Sequence, residues 1–199
     1  MQEGVERPAL GTVFPTAQGP TLFLDVGANS DCKPIYLLQF AHLGSSYMQS
    51  AFGISSPRVA LLSNGEEETK GNQLVRDAHR LVKASDLNFL GNVEGKDVAM
   101  GVADVVVTDG FTGNIIMKVT EGVKELLHAA AEQEMQRGPH IALAFALLRP
   151  LFEGLTKRLD YTEYGGAPLL GVRGNVIISH GRSDARAIKS AVRLARQTV

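Results

Sequence analysis

The residues best suited to chemistry stand beside glycines where apolar stretches end. The run Asp109 to Asn114 (DGFTGN) follows the apolar stretch Val105 to Thr108 and precedes a long helical pattern. A turn that opens a helix directs backbone N–H groups and the positive end of the helix dipole toward its guest, so an anion is expected there. The run predicts a phosphate site that includes Gly110, Thr112 and Gly113. The alternative is that these glycines serve packing alone.

Lys70 is the cation among the strand-end residues, and it is followed by Gly71 and Asn72 just before a helical pattern. An ammonium group at that place can neutralise a phosphate or a developing oxyanion, because the helix start adds to its positive field. The alternative is a solvated lysine that offsets the acidic run Glu66 to Glu68. The neighbouring Gly71 and Asn72 favour the ligand role.

Three asparagines at strand ends, Asn29, Asn92 and Asn114, can donate amide N–H groups to an anionic oxygen without adding negative charge. Asn114 is equally suited to cap its helix. Asp25 and Asp109 are expected to orient loops, because an ionised carboxylate repels a bound anion.

His180 ends a strand-like stretch and could exchange a proton near neutral pH, or be held by a backbone carbonyl. Glu94 is a second titratable candidate, with a plain surface role as its alternative. Cys32 is expected to be a packing residue. The turns do not gather the acidic ligands of a magnesium site, so neither a metal nor a cofactor is expected.

The elements that must position these residues alternate between strand and helix. Apolar runs predict strands, helical spacing predicts the segments between them, and the turns after the strands carry the polar groups. The predicted strands are 21–26, 58–62, 87–90, 104–108 and 176–179, and the predicted helices are 34–52, 72–84, 113–136 and 185–196. Such alternation predicts an α/β fold with a mostly parallel sheet and ligands outside the carboxyl ends of its strands.

Composition excludes several classes of protein. The 199 residues carry a net charge of −1, which lacks the basic footprint of a nucleic-acid binder. A lone cysteine cannot form an internal disulfide, which fits the cytoplasm, and the start lacks a secretory pattern. The longest apolar run, Ile141 to Leu148, is too short to span a membrane. The segment 138–160 around it, interrupted by Pro150, is expected to be a helical insertion for dimer or membrane contact.

A set of motifs resembles the bacterial phosphate acyltransferases of phospholipid synthesis. The resemblance covers nearly the whole chain, and the motifs occur in the expected order: RPAL (7–10), LDVGAN (24–29), GSSYM (44–48), KGN (70–72), GNVEG (91–95), VVVTDGFTGN (105–114), YGGAPLLG (164–171) and HG (180–181).

The resemblance implies an enzyme that moves a fatty acyl group from acyl carrier protein to inorganic phosphate and so makes acyl phosphate. It implies a three-layer fold similar to isocitrate and isopropylmalate dehydrogenases, with Lys70 and Asn114 at catalytic positions. His180 is a third catalytic candidate because it ends a strand-like stretch. Asn29 and Asn92 match the family's other polar loop residues, and Asn72 is a phosphate-binding candidate through its place in KGN. It further implies a homodimer, a cytoplasmic protein loosely associated with the membrane, and contact with a glycerol-3-phosphate acyltransferase.

Members of that family begin well upstream, with a DAMGGD-like and a SAGNTGA-like loop that this chain lacks. The chain is therefore expected to be a single α/β unit from the C-terminal part of a longer, N-terminally truncated enzyme. Two other functions remain: a phosphotransacetylase acting on short acyl-CoA, and an inactive binding module.

Overall fold

The computed structural model describes residues 1–158, 166–179, 181, 183 and 185–197, and these alternate between strands and helices. The strands are β1 (Ala9–Thr16), β2 (Gly19–Leu24), β3 (Val59–Leu62), β4 (Phe89–Val93), β5 (Val105–Val107), β6 (Ala167–Leu170) and β7 (Ile177–Ile178). The helices are α1 (Pro34–Phe52), α2 (Gln73–Lys83), α3 (Gly95–Met100), α4 (Gly110–Met135), α5 (Pro139–Arg158) and α6 (Ala185–Gln197).

Within the described residues the strands form one mixed sheet in the order β4-β3-β5-β2-β1-β6-β7. The neighbours β4, β3, β5 and β2 pair in parallel. The pairs β2–β1, β1–β6 and β6–β7 are antiparallel. The predicted parallel sheet is thus confirmed for one half, and the other half is antiparallel.

Several predicted boundaries need correction. Strands β1 and β6 were not predicted, and β6 lies within the glycine-rich motif YGGAPLLG. Strand β4 continues through Gly91 and Asn92, which were expected in a turn. Helix α4 begins at Gly110 rather than at Gly113. Helix α5 continues through Pro150.

The core lies between α1, α2 and one face of the sheet. Gly44 in α1 lies directly over the strands, because a Cβ atom there would be 2.6 Å from Val105 Cγ1 and 2.9 Å from Leu24 Cδ1. Phe23 and Val106 on the opposite face are also fully buried, as expected for central strands of a parallel sheet. Buried residues of the main cluster include Leu22, Leu24, Leu37, Phe40, Met48, Val59, Leu61, Ala78, Val82, Val105 and Val107.

The chain divides into two compact units, Met1–Asn114 with Tyr161–Val199, and Ile115–Asp160. The second unit holds most of α4 and all of α5, and α5 lies within the segment 138–160 that was expected to be an apolar insertion. It exposes large apolar side chains, among them Val119, Leu126, Leu127, Leu143 and Leu147. None of the described helices is long and apolar enough to cross a membrane.

Candidate functional site

The polar turns meet at one edge of the sheet. Because β2, β5, β3 and β4 are parallel neighbours, their carboxyl ends lie side by side. The segments that follow β2, β3 and β5 are residues 25–33, 63–72 and 108–109, and the last leads straight into α4. The prediction that these turns share one edge is therefore confirmed.

Asp25 organises the segment after β2. Its carboxylate is fully buried and accepts hydrogen bonds from the backbone N–H groups of Leu10, Gly27, Ala28 and Asn29 at 2.8 to 3.1 Å. The Asn29 side chain adds another bond at 2.8 Å. These donors engage both carboxylate oxygens and so fix the segment after β2 around Asp25. The predicted orienting role of Asp25 is confirmed.

The first turn of α4 packs against that segment. A Cβ atom on Gly113 would be 1.9 Å from the Asp25 carbonyl oxygen, and one on Gly110 would be 2.7 Å from the Asn29 carbonyl oxygen. A side chain at either position would overlap backbone. These glycines therefore permit close packing of a helix on a loop, which was the alternative to a ligand role.

The backbone cradle predicted for phosphate needs correction. Gly110 N–H donates to the Asn29 carbonyl oxygen at 2.7 Å, and Gly113 N–H donates to the Asp109 carbonyl oxygen at 3.0 Å. The Thr112 amide donates to Asp109 Oδ1 at 2.8 Å, and the Thr112 hydroxyl donates to Asp109 Oδ2 at 2.9 Å. These donors already have acceptors within the fold.

Asn114 lies inside α4 rather than at its cap, because Asp109 caps the helix through Thr112. The Asn114 side chain is exposed and makes no hydrogen bond to a described residue. Its Oδ1 lies 3.8 Å from where a Cβ atom on Gly27 would stand. The amide of Asn114 is thus available to a ligand at the carboxyl edge.

The side-chain amide of Asn29, in contrast to that of Asn114, is not available to a ligand. Its Nδ2 donates to the Pro8 carbonyl oxygen at 2.7 Å and to Asp25 Oδ2 at 2.8 Å. Both amide hydrogens are therefore used to hold β1 and the segment after β2 together. The expected donation from Asn29 to phosphate does not fit this geometry.

Lys70 is exposed and forms no ion pair with any described residue. Its aliphatic stem passes over Gly65, where a Cβ atom would be 2.7 Å from Lys70 Cγ. The alternative role, offsetting the acidic run, finds no support at Glu68, because that carboxylate pairs with Lys83. The ammonium group of Lys70 is therefore available to an anion.

Asn72 is the N-cap of α2, and its Oδ1 accepts from the Val75 amide at 2.9 Å. This acceptor role leaves Nδ2 without a partner among the described residues. Gly71 has φ +93°, and its amide donates to Asn64 Oδ1 at 2.8 Å. The KGN motif therefore forms the turn that starts α2 and still presents one amide group.

Asn92 is buried within β4 and faces the interior. Its Oδ1 lies 3.0 Å from His79 Nδ1, and its Nδ2 donates to the Glu67 carbonyl oxygen at 2.8 Å. Asn92 is 6% exposed, and its Oδ1 and one Nδ2 hydrogen have protein partners, so direct binding of phosphate by Asn92 does not fit. Sequence reasoning gave His79 no role, although a histidine on the inward face of an amphipathic helix is a usable signal.

Of the two titratable candidates, Glu94 and His180, the structure describes Glu94. Glu94 precedes α3, forms an ion pair with Lys96, and its amide donates to Asp97 Oδ2 at 2.8 Å. Glu94 therefore has the plain surface role that was the alternative to proton exchange. His180 lies outside the described residues.

Cys32 is half-buried, and its Sγ lies 3.6 Å from the Asn29 carbonyl oxygen. Burial raises the pKa of its thiol to about 11, and the carboxylates of Asp25, Asp109 and Asp31 add to the rise. The neutral thiol is thus favoured, which fits a packing residue. Among the described residues no three His, Cys, Asp or Glu side chains are grouped as a metal site would need.

The fold is that of a mixed α/β protein similar to phosphotransacylases. It aligns with a phosphotransacetylase from Streptococcus pyogenes at a TM-score of 0.59 and 18% identity, covering 98% of this chain and 55% of that one. It aligns with a branched-chain phosphotransacylase from Enterococcus faecalis V583 at a TM-score of 0.58 and 15% identity, covering 96% and 65%. At such identities the likeness concerns the fold alone.

The chain belongs to the family described as fatty acid synthesis protein, whose model matches residues 1–199. It is 53% identical over 196 residues to a phosphate acyltransferase of Heliobacterium modesticaldum, covering 98% of this chain and 58% of that protein. It is 51% identical over 199 residues to one of Dictyoglomus thermophilum, covering 99% and 59%. The chain thus spans a little over half the length of these relatives.

Proposed function

We propose that this chain contributes to the transfer of a fatty acyl group from acyl carrier protein to inorganic phosphate, which yields acyl phosphate for phospholipid synthesis. The names of the relatives at about half identity support this reaction. The observation that carries the proposal is Lys70, an exposed cation in the segment after β3. It forms no ion pair with any described residue.

The reaction requires charge stabilisation more than a strong base. A phosphate oxygen attacks the thioester carbonyl carbon, a C–O bond forms, and the carbonyl oxygen becomes an oxyanion. The intermediate then breaks its C–S bond, and the thiolate leaves and takes up a proton. Phosphate is partly dianionic at neutral pH, so it needs little help to act as a nucleophile. Holding it against the carbonyl carbon therefore supplies much of the rate.

We assign Lys70 and Asn114 to this chemistry. Lys70 would neutralise phosphate or the oxyanion, and the amide of Asn114 would donate a hydrogen bond without adding charge. The Nδ2 group of Asn72, which has no partner in the part of the chain that the structure describes, is a further donor beside Lys70. Gly110 and Gly113 act indirectly, by packing α4 on the segment after β2, and Thr112 acts indirectly through its hydrogen bonds to Asp109 at the start of α4. His180 remains a proposal for proton transfer.

Other parts of the proposal rest on the family resemblance. The complete protein would adopt an isocitrate dehydrogenase-like, three-layer arrangement and form a homodimer in the cytoplasm. The segment 138–160 would contact a second copy or the membrane surface, and a glycerol-3-phosphate acyltransferase would receive the product. The exposed Arg186, Lys189 and Arg193 on α6 suit an acidic carrier protein.

The test is phosphate-dependent release of free carrier protein from palmitoyl carrier protein. Two proteins are compared: this chain alone, and this chain joined to the N-terminal portion of the Heliobacterium modesticaldum relative. Release by the joined protein supports the proposal, and no release by either overturns it. In the active form, Lys70→Ala is expected to lower kcat/KM by about 100-fold or more. The matched control is Lys118→Ala, which removes a cation paired with Glu121 on α4.

A further inference from the structure

A buried histidine connects α2 to the turn that carries Lys70. His79 is 3% exposed, and its ring meets the edge of Phe89 with centroids 5.0 Å apart. Its Nδ1 lies 3.0 Å from Asn92 Oδ1. The ring lies beside Gly91, where a Cβ atom would be in ordinary contact with it, 4.0 Å from His79 Cε1.

The orientation of Asn92 determines the tautomer of His79. Asn92 Nδ2 donates to the Glu67 carbonyl oxygen at 2.8 Å, so Oδ1 is the atom that faces the imidazole. Only a donor can face that oxygen favourably, so Nδ1 must carry a hydrogen. This tautomer is the reverse of the one that free histidine prefers in water.

The Glu67 carbonyl oxygen also accepts the amide of Lys70 at 3.0 Å. Hydrogen bonds therefore run from His79 through Asn92 to Glu67, and Glu67 holds Lys70. A second link lies beside this path: the Glu68 carboxylate forms an ion pair with Lys83 on α2. The turn that presents Lys70 is thus anchored to β4 and to α2.

We propose that His79 is a positioning residue for Lys70. Its Nδ1–H holds Asn92, Asn92 holds the Glu67 carbonyl, and that carbonyl holds the backbone of Lys70. The inference rests on the proposed function in that Lys70 is taken as the cation that binds phosphate. His79 itself touches no substrate.

The first measurement is the tautomer of His79 in the unmodified chain, by ¹⁵N NMR above the pH at which the ring is charged. Protonated Nδ1 with unprotonated Nε2 is expected, and the opposite tautomer would overturn the proposal. Asn92→Ala should abolish the preference for the Nδ1–H form, because the acceptor is then gone.

The second measurement compares His79→Leu with His79→Asn. Asparagine places an amide N–H close to where imidazole Nδ1–H stands, so it should keep the link to Asn92, whereas leucine removes it. In His79→Leu we expect exchange of the Lys70 amide with water to accelerate about 10-fold and the affinity for inorganic phosphate to fall about 10-fold. Both quantities should stay within about twofold of the parent in His79→Asn.

His42→Leu is the matched control, since His42 is an exposed histidine on α1. Parent-like exchange of the Lys70 amide in a folded His79→Leu variant would overturn the positioning role. If neither this chain nor the protein joined to the Heliobacterium modesticaldum N-terminal portion binds phosphate, the proposed function fails at Lys70, while amide exchange still decides what His79 does. Should His79→Leu not fold, the tautomer and the His79→Asn variant decide.

Discussion

Gly113, in the first turn of α4, lies against the backbone of Asp25, so that a Cβ atom on Gly113 would be 1.9 Å from the Asp25 carbonyl oxygen. The helix that follows β5 is therefore seated directly on the segment that follows β2. This contact places Asn114 beside Gly27 at the carboxyl edge of the sheet.

Gly113→Ala should destabilise the protein strongly, because the new methyl group meets backbone atoms that cannot rotate away. We expect the free energy of unfolding to fall by roughly 1–3 kcal/mol or more, measured by urea denaturation. Gly122→Ala, in the same helix with no atom within 4 Å of its Cβ position, should instead stabilise by about 0.5–1 kcal/mol. Equal effects of the two substitutions would contradict the close contact.

Asp25→Asn should cost roughly 3 kcal/mol of unfolding free energy. The substitution replaces one accepting oxygen by an amide group, which cannot accept from the surrounding backbone N–H groups. Thermal or urea unfolding measures the loss. Asp31→Asn, an exposed neighbour, is the control and should change stability by less than about 0.5 kcal/mol. If Asp25→Asn left the free energy of unfolding unchanged, the charge of this carboxylate would not be needed for stability.

Asn72 combines a cap with a proposed ligand role, and two substitutions separate them. Asn72→Ala should destabilise by about 1 kcal/mol because the Val75 amide loses its acceptor. Asn72→Asp should keep the cap and the stability but weaken binding of inorganic phosphate, because a carboxylate then lies beside the anion. Unchanged phosphate affinity in a stable Asn72→Asp variant would remove Asn72 from the site.

The raised pKa of the Cys32 thiol predicts how folding stability changes at alkaline pH. Burial first, and nearby carboxylates second, raise the pKa of its thiol from 9.0 to about 11 in the folded chain. The folded state therefore holds the proton more tightly, and this contribution to stability is present below pH 9 and lost between pH 9 and about 11. Cys32→Ala should flatten the loss of stability over that interval, measured by urea unfolding at a series of pH values.

Alkylation provides a direct check on the same thiol. At pH 8 the folded chain should react with iodoacetamide more slowly than the urea-unfolded chain, since the thiolate fraction is smaller. Equal rates would contradict the raised pKa. Tyr47, whose pKa burial raises to about 12, adds an alkaline loss at higher pH that Cys32→Ala leaves in place.

The alternation of strands and helices was readable from the sequence because buried strands and amphipathic helices have different periods. The strand β1 was missed, since it enters the sheet through antiparallel pairing with β2 and β6, partners that periodicity does not reveal. The break expected at Pro150 was wrong, since α5 continues past it.

By itself, the sequence determined which residue types stand at the carboxyl edge, because parallel strands bring their ends together whatever their exact bounds. Only the tertiary structure decided which of these groups remain available. The side-chain amides of Asn29 and Asn92 are hydrogen-bonded to other residues, most of which lie far away in the chain: Pro8, Asp25, Glu67 and His79. Lys70 and Asn114 have no such partners among the described residues. Hydrogen-bond saturation depends on distances across the fold, which local spacing does not contain.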